Sequence, residues 1–299
     1  MRRVRRVTRR KLLVYVDGAF VSADKASVSV FDHGFLYGDG IFEGIAVNGS
    51  KAFMLDEHMN RMFNSARTIR LEIPLTKAQL RRAIKDTISK NGLVDGYVRP
   101  IISRGRGSLG LNPEYCEKAT VVIIPQRTED YPLLKIRRPA RAIVSTVRRN
   151  PPFSIPASAK TLNYLNNILA KQQANAAGVD EAIMLDWTGK VSEGTGDNVF
   201  IVRHGIVCTP SLQHSILPGI TRLAVRKLCE RHGIPFRETE LSPKDLHIAD
   251  EVFLTSTSLG IQPLVEIDGR KVKDGKVGPV TRMLSRYLDE AMASHSELG

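Results

Sequence analysis

The stretch that most constrains this chain runs from Ser158 to Phe200. It holds S-A-K-T-L-N-Y-L-N-N at 158–167 and V-S-E-G-T-G-D-N-V-F at 191–200, joined by a short segment with an apolar strand in it. Lys160 follows the small residues Ala157-Ser158-Ala159, after the turn-forming run Asn150-Pro151-Pro152. It stands just ahead of a helix expected from about Asn163, where a lysine can point inward. Tyr164 comes four residues later, and residues i and i+4 are neighbours on a helix. One pocket shared by an amine and a phenol is therefore expected. An amine in a desolvated or electropositive pocket can condense with a carbonyl carbon, and a phenol can donate to an oxygen beside it. Glu193, followed by Gly194-Thr195-Gly196, supplies an acid nearby. Taken singly, Lys160 and Glu193 read equally well as surface charges.

Besides a hydroxyl-rich turn at Thr255-Ser256-Thr257-Ser258, three more motifs fall in order along the chain: Tyr37-Gly38-Asp39-Gly40-Ile41-Phe42-Glu43-Gly44, Glu57-His58-Met59-Asn60-Arg61 and Leu217-Pro218-Gly219-Ile220-Thr221-Arg222. With the first two they give a sequence that resembles the class IV, fold-type IV pyridoxal phosphate aminotransferases, and is most similar to the branched-chain amino acid aminotransferases. The matches run from about Val14 to Leu288, nearly the whole chain. The resemblance implies a mixed α/β (α+β) fold of two domains, pyridoxal 5'-phosphate as cofactor, and ping-pong transfer of an amino group. The donor is leucine, isoleucine or valine, and the acceptor a 2-keto acid, 2-oxoglutarate. It implies pockets formed at a subunit boundary, hence a homodimer or higher homo-oligomer.

The resemblance also assigns residues. Lys160 is the catalytic amine, Tyr164 supports the cofactor's phenolate oxygen, and Glu193 keeps the ring nitrogen protonated. Arg61, Gly219, Ile220, Thr221, Ser256 and Thr257 hold the phosphate, and Tyr37, Phe42, Tyr97, Arg99 and Ser258 border the substrate. On their own these residues have plainer readings. Tyr37 and Phe42 fit a core, Arg61 a solvated helix face, Tyr97 and Arg99 the face of an edge strand, and 255–258 a solvated loop. Pro218-Gly219 by itself marks only a helix start, although free N–H groups there suit a phosphate.

Within the fold, E-G-T-G-D-N-V-F and F-E-G-I favour branched-chain enzymes over D-amino-acid aminotransferases. Ala46, Asp197 and Ser258-Leu259-Gly260 depart from the usual branched-chain pattern, and Ala46 with Ser258-Leu259-Gly260 leaves D-amino acids and (R)-amines open as donors. Aminodeoxychorismate lyase, an elimination enzyme of the same fold, is the rival chemistry.

Composition adds limits. The 299 residues allow two domains, and 42% hydrophobic with 25% charged residues is the balance of a globular protein. No run of 18 apolar residues exists, and the charged start lacks a secretory core, so a cytoplasmic protein is expected. Three cysteines without C-x-x-C spacing give no disulfide framework or metal site. Of the net +13, seven charges lie in Met1–Lys11, which leaves +6 on the remainder. That tail could hold anionic surfaces or nucleic acid nonspecifically, but reads more simply as a disordered extension; no specific nucleic acid and no membrane partner is expected.

The expected organisation is a tail at 1–11, a small N-terminal α/β domain at 12–125, a linker at 126–139 and a large domain at 140–299 carrying the lysine. Helices are expected over about 56–70, 77–91, 163–177, 222–232 and 278–293, from apolar periodicity and from stops such as Gly92. Tyr37–Val47 is expected to be a strand pair broken by glycines.

Overall fold

The computed structural model describes residues 11–130 and 138–294. The basic tail, apart from Lys11, and half of the proposed linker, 131–137, lie outside the described residues. The chain forms two sheets, each faced by helices.

The first half runs β1 (Leu13–Val16), β2 (Ala19–Ser22), α1 (His33–Tyr37), β3 (Gly40–Phe42), β4 (Ile45–Asn48), β5 (Lys51–Ala52), α2 (Leu55–Thr68), α3 (Lys77–Lys90), β6 (Gly96–Ser103) and β7 (Thr120–Arg127). Its sheet has the order β2-β1-β7-β6-β4-β5, with β3 also paired to β6. Asp17 and Gly18 turn β1 into β2 with positive φ, the conformation such a tight hairpin needs. Thr76 and Gln79 form a reciprocal capping box at the start of α3. Met59, Met62 and Ala66 of α2, with Leu80, Ile84 and Ile88 of α3, bury against Ile45, Val98, Ile102 and Ile123 of the sheet. The same side of α2 also buries His58, Arg61 and Ser65, three polar side chains that need internal partners.

The second half runs β8 (Ala140–Val144), α4 (Leu165–Ala176), β9 (Glu181–Ile183), β10 (Asn198–Arg203), β11 (Ile206–Pro210), α5 (Ile220–Arg231), β12 (Phe236–Thr239), α6 (Pro243–His247), β13 (Glu251–Ser256), β14 (Gly260–Ile267), β15 (Arg270–Lys271) and α7 (Pro279–Ser294). The sheet order is β12-β11-β10-β13-β14-β8-β9, with β15 on β14. Alternation along β10 and β13 divides two cores. Val199, Ile201, Val252 and Leu254 face one; Phe200, Val202 and Phe253 face α5 and α7 on the other.

Three expectations differ in detail. β7 runs through Pro125 to Arg127, into the segment assigned to the linker. The chain before Gly38 is the short helix α1, capped by Asp32, and Gly38 closes it with φ of 71°. The expected helix at 163 begins at Leu165, with Tyr164 as its N-cap.

Candidate active site

A cavity of about 390 Å³ opens between the two halves, and Lys160, Tyr164 and Glu193 all line it. The segment before α4 is extended. Phe42 N–H donates to Lys160 O at 3.0 Å and Leu162 N–H to Gly40 O at 2.9 Å, so residues 160–162 pair with β3 of the first sheet. Lys160 N–H donates to Ser65 Oγ on α2 at 3.0 Å. With its backbone fixed, Lys160 directs Nζ to within 3.0 Å of the Tyr164 hydroxyl. The expected pair is therefore present, but a bridge to β3 holds it rather than a helical turn. Phe42 completes the corner, 4.5 Å from Nζ to its ring centre and edge-on to Tyr164.

Glu193 sits in the closed turn 193–198. Its Oε1 meets Arg149 Nη2 at 2.9 Å, and its Oε2 accepts from Leu217 N–H at 2.9 Å and Asn198 Nδ2 at 3.3 Å. Burial pushes this carboxyl upward, and Arg149, the Leu217 N–H and Lys160 only partly offset it. Arg149 is itself buried, donating to Asn167 Oδ1 at 2.8 Å.

Arg61 reaches the cavity from α2. Nε and Nη2 form a bidentate pair with Glu43, each at 2.7 Å, and Nη1 donates to Pro218 O at 2.9 Å. One N–H on each terminal nitrogen remains for an anion. Burial pushes Glu43 up, but Arg61 and His58 hold its carboxyl well below the usual range. His58 is pushed down by burial despite Glu43, so the neutral ring donates from Nδ1 to Glu43 Oε2 at 2.8 Å.

The anion end of the cavity is the start of α5. Gly219 is its N-cap and no side chain caps the helix, leaving the first N–H groups for another partner. A Cβ at Gly219 would lie 2.0 Å from Asn198 Oδ1, so only glycine lets these two segments approach. Thr255, opposite Asn198 in the β10–β13 register, has a buried Oγ1 with no partner. An orphaned hydroxyl, an uncapped helix start and Arg61 together form a cradle whose chemistry fits a phosphate. Thr257 and Ser258 line the same cavity, and Ser256 Oγ accepts from Leu259 N–H at 3.3 Å, shaping that turn.

Of the expected substrate residues, Phe42, Tyr97, Arg99 and Ser258 line the cavity. Arg99 Nη2 donates to the Tyr97 hydroxyl at 3.2 Å and lies over Phe42. A Cβ at Gly44 would stand 1.8 Å from that hydroxyl, which explains the glycine after Phe42-Glu43. Tyr37 does not line this chain's cavity. α1 turns its ring edge-on to His33, and its hydroxyl accepts from Gly110 N–H at 3.0 Å. Sequence reasoning gave no role to Glu43, Arg149 or Asn198. Glu43 and Asn198 stood inside quoted motifs, and that was the available signal; Arg149, in a run of surface-like arginines, offered none.

The sequence matches the profile of the family described as amino-transferase class IV over residues 40–267. A protein of Methanocaldococcus jannaschii, provisionally named a branched-chain-amino-acid aminotransferase, is 47% identical over 279 residues, covering 93% of this chain and 95% of its own. The branched-chain-amino-acid aminotransferase of Escherichia coli K12 is 36% identical over 285 residues, covering 93% and 92%. The branched-chain amino acid aminotransferase of T.th., solved with pyridoxamine 5'-phosphate, superposes with a TM-score of 0.90 at 36% identity over 96% of each chain. The matched span contains Lys160, Glu193 and the turns at 219–221 and 255–258, and with the geometry above it shows that this chain belongs to the class IV amino-transferase family.

Proposed function

We propose that this chain binds pyridoxal 5'-phosphate on Lys160 and exchanges an amino group between a branched-chain amino acid and 2-oxoglutarate. One observation carries the reading: an amine 3.0 Å from a phenol, in a cavity that also holds a buried acid and an uncapped helix start. When bound, the cofactor supplies an aldehyde and an electron-withdrawing ring. The chain supplies the rest. The α5 start, Thr255, Thr257 and Arg61 neutralise the phosphate, and Glu193 holds the ring nitrogen's proton. Lys160 moves the proton on the substrate α-carbon, with Tyr164 Oη steering its amine. Phe42 and Tyr97 give the side-chain pocket an apolar wall, and Arg99 offers a guanidinium to the distal carboxylate of a dicarboxylic partner.

The test is a donor screen with the full-length protein: leucine, isoleucine and valine against D-alanine and (R)-1-phenylethylamine, each with 2-oxoglutarate and with pyruvate. Branched-chain donors with 2-oxoglutarate should turn over fastest, and Lys160→Ala should lose all turnover and the covalent cofactor adduct. Faster turnover of D-alanine would reject the substrate reading, and an adduct on another lysine would reject the site.

We also propose a homodimer. Phe35 is 71% exposed, and Leu109 and Leu111 are 71% and 81% exposed. The Tyr37–Gly110 contact brings α1 against the loop that carries the two leucines, and a second copy is the natural cover for such an apolar surface. Sedimentation at the mass of one chain would contradict it.

A further inference from the structure

The loop between β11 and α5, residues 211–219, serves two ends of the cavity at once. Leu217 N–H donates to Glu193 Oε2 at 2.9 Å, and Leu217 O accepts from Asn198 Nδ2 at 2.9 Å. Pro218 O accepts from Arg61 Nη1 at 2.9 Å, and Gly219 is the N-cap of α5. A displacement of this loop would therefore disturb the buried acid and the anion cradle together.

The loop does not keep its place by its own conformation. Ser215 has a φ of 54°, a left-handed backbone that a serine holds only where its neighbours impose it. Its own hydroxyl is buried without a hydrogen bond and gives no support. Support comes from outside. Ser192 Oγ lies 2.7 Å from His214 O and 3.1 Å from Ser215 O, but a hydroxyl has one proton to divide between them. Arg149 Nε reaches Ser215 O only at 3.4 Å. His214 supplies the strong contact, with Nδ1 at 2.8 Å from Asp186 Oδ2.

Asp186 is a fixed post. It is buried, and its Oδ1 accepts from Thr188 N–H at 2.8 Å, Thr188 Oγ1 at 2.6 Å and Lys190 N–H at 3.0 Å. Burial pushes the carboxyl up, but Thr188, His214 and the Lys190 N–H together hold it below its usual range. A carboxylate has no proton to give, so Nδ1 of His214 is the donor in a charge-assisted bond. Without it, a buried charge would lose the partner of one oxygen and the loop its strongest tie.

We infer that His214 is a positioning residue for the cofactor site: latched to Asp186, it fixes residues 214–219 so that Leu217 N–H meets Glu193 and the start of α5 faces the cavity. Neither His214 nor Asp186 lines that cavity, so both act through the loop. The inference rests on the proposed reading of Glu193 and the α5 start as groups that hold the cofactor.

The test uses the full-length protein with pyridoxal 5'-phosphate as the probe. In His214→Asn an amide nitrogen stands on Cγ, where Nδ1 stood, and keeps the donor to Asp186. In His214→Gln it lies one carbon farther out, and in His214→Ala it is gone. Losing a hydrogen bond to a charged group should weaken cofactor binding about tenfold in the alanine and glutamine variants, and the asparagine variant should restore it. The pH midpoint at which the bound cofactor's visible absorbance changes should move in the same two variants and return with asparagine, because that midpoint reports the ring's contact with Glu193. Should His214→Ala fail to fold, asparagine against glutamine decides alone. Equal midpoints in wild type and His214→Gln, or an affinity loss shared equally by His214→Asn, overturn the positioning role, even where urea titrations show lost stability. Absence of an adduct on Lys160 in wild type is a separate result: it removes the cofactor reading itself, and this inference with it.

Discussion

Two buried arginine–glutamate pairs flank the cavity, and they are built to opposite ends. Glu43 receives Nε and Nη2 of Arg61 and Nδ1 of His58, all within 2.8 Å, so both oxygens are occupied by strong donors. Glu193 receives one guanidinium nitrogen, one backbone N–H and one long amide contact. Both carboxyls are shielded from water, yet Glu43 is held low and Glu193 is raised. The charge and closeness of the donors separate the two, because burial penalises both and only Glu43 receives enough in return. The saturated pair is a fixed strut that aims Arg61. The unsaturated one keeps acceptor capacity for a proton that arrives from the cavity.

Replacing Glu43 should produce the largest change. Glu43→Gln leaves Arg61 buried with half its partner, and breaking such a pair costs about 3–5 kcal/mol. Urea denaturation should show that loss, together with weaker cofactor binding as Arg61 leaves the Pro218 carbonyl. A loss below about 1 kcal/mol, as for an exposed pair, would mean the strut is unimportant. The pH dependence should carry its mark too. A carboxyl with a lowered folded pKa stabilises above its unfolded value of about 4.3 and loses that stability as pH falls through the folded value. Wild type should thus resist acid better than Glu43→Gln.

Glu193→Gln should cost less in stability and more selectively in catalysis. Loss of one preorganised charge at a reacting centre lowers kcat by about 10²–10³-fold, or about 2.7–4 kcal/mol. Here the sign reverses: a raised carboxyl makes the folded state less stable as pH climbs above about 4.3, and the amide removes that slope. Parallel pH slopes in the two glutamine variants would show that the two pairs are alike after all.

The parts of the site that could be seen in the sequence are those whose motif carries its own geometry. Gly219-Ile220-Thr221 announces a helix start, and its use as a cradle needs only the free N–H groups of that helix. Lys160, Tyr164 and Glu193 stood out through their motifs, although the reason given for the lysine–tyrosine contact was a helical turn and the chain uses a bridge to β3 instead. The residues that escaped take their meaning from closure. Arg149 is one more arginine until the chain folds back to bring it against Glu193 and Asn167. The helix at 33–37 escaped in the same way: Asp32 and Gly38 cap the segment before β3, and that turns the Tyr37 ring toward Gly110. The long helices, by contrast, followed from apolar periodicity and from stops such as Gly92, which are local signals.

The backbone of Lys160 belongs in space to the first sheet, through Phe42 and Gly40, while its place in the chain lies well inside the second half. Glu193 and the α5 start remain with the second sheet. Lys160 and Glu193 are thus mounted on different sheets, and a slip of one against the other would misalign them without breaking any bond to either. Neither half could be shortened, exchanged or redesigned alone, because the seam between them is where the reaction would happen.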